Sequence, residues 1–256
     1  MRLEAVEQYN KALKAGHKYY KTALAKGEYP YLPVLDEIMD ESSIAARMDL
    51  GVISIPLSLV AGTKSASRTT ALAGNFMPLL APDSEFGVKW RMLCDTHLSE
   101  EGISDPIRCY EYVGRFYVQE GNKRVSVLKS YGSPAVTANV TRLVPEYSDD
   151  PGVQVYYEFM QFYALSGQYG IVLRRRGQYQ KLQAALGMDE DYVWDEWERR
   201  SFSAGFVHFS NAFERVNTEK LDITPAEALL AWLEVFSFAD IKELLLPELV
   251  KKLQAL

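Results

Sequence analysis

Apolar residues at Leu3, Val6, Leu13, Tyr20 and Leu24, set among good helix formers and stopped at Gly27, predict a helix over residues 3–26. Tyr29-Pro-Tyr-Leu-Pro-Val-Leu35 follows, and its two prolines make it extended: a clip lying across a domain surface. Gly51-Val-Ile-Ser-Ile-Pro56 is a β-branched run closed by proline, which predicts a first strand. Helical spacing returns from Ser84 to Leu98 through Phe86, Trp90, Leu93 and Cys94. A hairpin comes next, Ile107–Tyr112 and Arg115–Gln119 joined by Val113-Gly114. It runs into a helix over 122–131 that stops at Gly132. Alternation over 135–144, ended by Pro145, predicts another strand.

Beyond the turn-rich stretch Tyr147-Ser-Asp-Asp-Pro-Gly152 the pattern is almost wholly helical, over 153–165, 177–187, 191–215, 224–237 and 239–255. Thr224-Pro-Ala-Glu227 combines a capping box with proline at the first helical position. The predicted class is α+β: a small mixed sheet with helices, followed by an all-helical domain. The divisions are an N-terminal helix and clip over 1–48, the sheet domain over 49–146 and the helical domain over 147–256. Trp194, Trp197 and Trp232 read as core, and His208, among Phe206, Phe209 and Phe213, as a core-edge histidine. In the last segment Ile241, Leu244, Leu245, Leu249, Leu253 and Leu256 form a stripe wide enough to pair with a second copy or a downstream domain.

Composition narrows the function classes. The 256 residues are 48% hydrophobic and 24% charged, values of an ordinary globular protein. No apolar run approaches the roughly 18–20 residues that span a bilayer, and the first residues lack the apolar core of a secretory signal. Two cysteines, Cys94 and Cys109, make no disulfide framework, so reduced thiols and a cytoplasmic setting are expected. A net charge of −6 argues against non-specific coating of nucleic acid but leaves room for a local basic site. The three histidines are far apart and form no metal-binding pair, so no metal site is predicted.

The candidate chemistry sits at Glu120-Gly-Asn-Lys-Arg124, where a strand delivers the chain onto a basic helix start. A helix start offers unsatisfied N–H groups and partial positive charge, which suit a phosphate. At 100° per residue Arg124 falls on the side of Val125, Leu128 and Tyr131, so it needs an anion. That anion is either an internal carboxylate or a bound phosphate. Gly121 allows the tight turn and close approach of a ligand, Lys123 adds a movable cation, and Glu120 is placed to act as a base or to face a metal–nucleotide complex.

Residues 51–56 and 101–144 resemble the N-terminal domain of ParB proteins, in the superfamily that also holds sulfiredoxin. Gly102-Ile103…Pro106-Ile107 is similar to the family's Gly-aliphatic-x-x-Pro-aliphatic step, and Gly121-Asn122-Lys123-Arg124 to its Gly-x-x-Arg helix opening. The rest of the chain resembles bacterial proteins labelled ParB-domain nucleases. The resemblance implies a cradle for CTP or ATP, with Mg as a companion ion, in which Gly121, Asn122, Lys123 and Arg124 hold phosphate. Asn122 stands where sulfiredoxins carry cysteine, which rejects sulfinic-acid repair. Glu120 resembles the acidic residue of a free-serine kinase branch whose two histidines are missing here.

A second basic segment, Thr63-Lys-Ser-Ala-Ser-Arg-Thr-Thr70, follows the first strand. By the resemblance Lys64 and Arg68 close over the phosphates, with Thr69 or Thr70 capping a helix; the alternative is an ordinary surface loop. Three readings stay open. The first is a nucleotide-binding module, with DNA as a possible partner. The second is a phosphate-directed enzyme (a nuclease or nucleoside triphosphatase) with Glu120 catalytic. The third is a protein-interaction module whose basic turn closes an internal salt bridge.

Overall fold

Residues 2–66, 69–100, 102–189 and 191–255 are described by a computed structural model. The chain divides into two compact units, residues 1–146 and 147–256. The first carries a mixed five-stranded sheet and the second is helical, an α+β architecture.

The first unit runs α1 (Leu3–Ala25), α2 (Leu35–Ile38), β1 (Ile44–Pro56), β2 (Val60–Thr63), α3 (Glu85–His97), β3 (Ile107–Tyr112), β4 (Arg115–Glu120), α4 (Asn122–Ser130) and β5 (Ala135–Pro145). The sheet order is β1-β5-β3-β4-β2. The β1–β5 and β3–β4 pairs are antiparallel, while β3–β5 and β2–β4 are parallel. Helices α1, α3 and α4 share a core of Tyr9, Trp90, Cys94 and Val127. Leu35 and Met39 pack with Tyr117 and Leu143 in a separate cluster.

Two strands differ from the sequence pattern. β1 starts seven residues early because Ala45–Asp49 are exposed, so no apolar alternation marks them. β2 is made of small residues and is fixed by the backbone, with the Lys64 amide donating to Val118 O at 2.9 Å. The clip is extended as far as Val34, where α2 begins, yet it does not lie on the surface: Leu32, Val34 and Leu35 are buried. The Thr63 amide donates to Pro33 O at 2.9 Å, and a Cβ on Gly62 would come within 2.1 Å of that oxygen. Only glycine lets the clip seat here.

A buried ion pair crosses the sheet. Glu111 of β3 stands in register beside Arg142 of β5, and Arg142 Nε donates to Glu111 Oε2 at 2.6 Å. The second carboxylate oxygen accepts the Gly114 amide at 2.7 Å and so fastens the hairpin turn.

The second unit runs α5 (Pro151–Ser166), α6 (Gln178–Ala185), α7 (Glu196–Val216), α8 (Pro225–Leu233), α9 (Phe238–Glu243) and α10 (Leu246–Leu253). Asp195 with Glu198 and Thr224 with Glu227 form capping boxes at α7 and α8. The leucine-rich tail is not one helix. Leu244 and Leu245 are extended and Pro247 opens α10, because proline has no N–H with which to continue the α9 ladder. Ile241 and Leu249 are buried while Leu245 is exposed, so the expected stripe is broken in two. His208 is half-buried at the core edge, its Nε2 3.1 Å from Leu244 O. Trp194 and Trp232 are core, as expected; Trp197 is not, being 72% exposed.

Candidate functional site

The turn from β4 into α4 is built around one glycine. Gly121 has φ 110° and ψ 15°, a left-handed conformation, and a Cβ added to it would meet Ile107 Cγ2 at 2.6 Å. The chain therefore leaves the end of β4 close against β3 and turns straight into the helix. No side chain caps the start of α4, and its first intrahelical bond is from the Val125 amide to Gly121 O at 3.0 Å. The amides of Asn122, Lys123 and Arg124 thus precede the helical ladder.

Packing fixes the helix behind this opening. Trp90 Nε1 of α3 donates to the buried Ser126 Oγ at 2.8 Å, and Val127 joins the core of α1 and α3. At the far end Gln8 Nε2 donates to Ser130 O at 2.8 Å.

The opening faces a cleft of about 600 Å³. Leu32, Leu72, Phe86 and Leu93 give it apolar wall, and Thr63, Gln119, Glu120 and the run Gly121–Arg124 give it polar wall. Thr63 Oγ1 donates to Val118 O at 3.0 Å and accepts from Asn122 Nδ2 at 3.2 Å, so the end of β2 is tied to the helix start. Asn122 Oδ1 is buried among these groups without a hydrogen-bond partner. Lys123 Nζ sits 5.2 Å from the centre of the Phe86 ring.

Arg124 is largely buried and reaches back to the loop that enters β3. Its Nη1 donates to Pro106 O at 2.9 Å and approaches Asp105 O at 3.4 Å, while the exposed Asp105 carboxylate is 4.0 Å from Nη2. The inward arginine predicted from helical spacing is therefore met mainly by backbone carbonyls of its own chain, and the cleft beside it stays open. Glu120 is exposed, 3.9 Å from Arg108 Nε, and is the only carboxylate among the described residues lining the cleft.

Of the second basic segment Thr63 lines the cleft, but Lys64 does not. Lys64 points elsewhere, ion-paired with Asp36 and 5.4 Å from the centre of the Tyr110 ring. β2 explains this: Thr63 and Lys64 are neighbours on an extended chain, so when Thr63 faces the cleft Lys64 faces away. Arg68 lies outside the described residues, and Thr69 is described by its backbone alone, in a 3₁₀ turn Thr69–Ala71. Sequence reasoning missed Thr63, Phe86 and Leu32 as cleft residues; each lies far along the chain from Gly121 and carries no local signal.

Neither cysteine lines the cleft. Cys109 is buried in β3, and burial, with Glu111 nearby, pushes its thiol up to about 12. Among the described residues no cluster of three or more His, Cys, Asp or Glu is placed to hold a metal ion. No helix among them is long and apolar enough to cross a membrane.

Two turns beyond the opening, Lys129 is half-buried, donating to Val60 O at 2.9 Å with its Nζ 4.8 Å from the centre of the Phe76 ring. Burial lowers its ammonium to about 8 from 10.5. Because the folded value is the lower, the unfolded chain binds more protons between these limits, and this group makes stability rise with pH across that window. Lys129→Met is expected to gain on the wild type below pH 8, with the gap closing as pH approaches 10.5. Urea midpoints of the two proteins from pH 7 to 10.5 check this; a gap independent of pH contradicts it.

No protein-family model and no curated protein matches the chain.

Proposed function

We propose that the first unit is a ParB-like nucleotide-binding module that holds the phosphates of CTP or ATP at the opening of α4. The observation that carries the reading is the uncapped helix start, with Lys123 beside it, in the wall of a 600 Å³ cleft. The amides of Asn122, Lys123 and Arg124 supply donors, and the helix dipole and Lys123 supply charge. The apolar wall of Leu32, Leu72 and Phe86 suits a base. Arg124 adds positive potential from below while latching the Asp105–Pro106 loop to the helix. A single carboxylate, Glu120, fits a magnesium ion that arrives on the phosphates and keeps most of its water.

A second reading draws on the same guanidinium: bonded to its own carbonyls, Arg124 is a structural latch in an interaction module. Thermal melts with each nucleoside triphosphate, with and without magnesium, separate the two. A ligand at 100 times its Kd adds about 2.7 kcal/mol to stability, so a clear rise in Tm is expected with CTP or ATP. Arg124→Ala and Lys123→Ala are each expected to remove most of it. A chain that melts identically with every nucleotide, or an Arg124→Ala protein that keeps the full shift, overturns the proposal. Inorganic phosphate released in the same samples divides a hydrolase from a binding module.

A further inference from the structure

The second unit carries a surface that the nucleotide reading does not use. The chain has four tryptophans. Trp90, Trp194 and Trp232 are buried, whereas Trp197 is 72% exposed at the first turn of α7. The segment before it explains the arrangement. Trp194 plugs the core against Phe162 and Phe202, and its amide donates to Leu165 O at 2.9 Å. With that residue anchored inward, Tyr192 and Val193 are turned out, 48% and 55% exposed. The Tyr192 hydroxyl donates to the Glu198 carboxylate, 3.0 Å from Oε1, which folds the segment onto the start of α7 beside Trp197.

The rim of this aromatic surface is acidic. Asp189, Asp191, Asp195 and Glu196 are exposed around it, and Glu198 lies in the same turn. The capping box occupies Asp195 and Glu198, and Glu196 is ion-paired with the exposed Arg200, so Asp189 and Asp191 carry the rest of the rim's charge. A nucleic acid would be repelled here, and a second copy of a chain of net charge −6 would bring more of the same sign. Aromatic anchors ringed by charge are the make-up of a protein-binding surface. We propose that Tyr192, Val193 and Trp197, flanked by Asp189 and Asp191, form a docking site for a cationic amphipathic segment of a partner protein. Trp197 is its apolar anchor, and the carboxylates steer and orient the basic residues.

The test uses the full chain and an 18-residue helical peptide of leucine and lysine, with two controls: the same peptide with glutamate for lysine, and decalysine. Three tryptophans are buried, so iodide quenching of emission reports on Trp197, and calorimetry gives Kd. The leucine–lysine peptide is expected to protect Trp197 from iodide and to bind more weakly as salt rises. Trp197→Ala is expected to weaken it at least tenfold and Trp197→Phe to restore part of the loss. Asp189→Asn with Asp191→Asn is expected to weaken binding and flatten its salt dependence. Unchanged melting curves for these surface variants guard against unfolding. The proposal is overturned if Trp197→Ala binds the peptide as well as the wild type does. It is equally overturned if the glutamate peptide or decalysine binds as tightly, or if the exposed tryptophan is covered by self-association in sedimentation.

Discussion

Arg142→Met will destabilise the first unit by about 3–5 kcal/mol, the usual cost of stranding a buried charge. Arg142 is 3% exposed and Glu111 wholly buried, so neither can turn to water when its partner is lost. The Arg142 Nε–Glu111 Oε2 bond of 2.6 Å joins β5 to β3 at the centre of the sheet. Removing the guanidinium takes the counter-ion from the carboxylate that also holds the Gly114 amide, so the hairpin turn is loosened as well. Replacing both residues, Glu111→Leu with Arg142→Met, is expected to recover most of the loss, since a well-packed apolar pair avoids the desolvation penalty. Urea unfolding of the single and double variants measures the difference. A single variant within 1 kcal/mol of the wild type would show that the pair is hydrated.

Gly121→Ala is expected to have the second largest effect, and to strike stability and binding together. An alanine at φ 110° is strained by roughly 1–3 kcal/mol. Its Cβ also meets Ile107 Cγ2 at 2.6 Å, and overpacking of that kind costs typically 1–3 kcal/mol more. A loss of about 2–4 kcal/mol follows if β3 yields partway. Any yielding moves the first turn of α4, so the Tm rise proposed for CTP or ATP should vanish even where the variant is still folded. Denaturant midpoints and melts with nucleotide read the two effects separately. A stable variant with an intact nucleotide shift would place the ligand away from this turn.

The sequence was most legible where periodicity and turn chemistry agree. The hairpin, the start of α4 at Gly121 and the helices α5 to α8 follow from alternation, glycine placement and capping residues. Glu111 and Arg142 could also have been found: each falls in phase with buried neighbours, Ile107 and Cys109 in one strand, Ala138 and Val140 in the other. β2 and the first half of β1 were illegible because their residues are small or exposed, and ladder bonds rather than burial hold them. Lys64 was misplaced for a related reason. A basic, hydroxyl-rich loop does not reveal that its first residue, Thr63, ends a strand and that Lys64 continues the extended chain, so it hides which way each points. Trp197 misled in the opposite sense, since hydrophobicity places it inside while Trp194 already fills that space.

The bonds of Arg124 to the carbonyls of Asp105 and Pro106 tie the entry to β3 directly to the exit from β4. A ligand that draws the guanidinium toward itself must slacken that tether. Anything resting on the 102–106 stretch would then sense occupancy without touching the bound molecule, giving the hairpin two holding states rather than one.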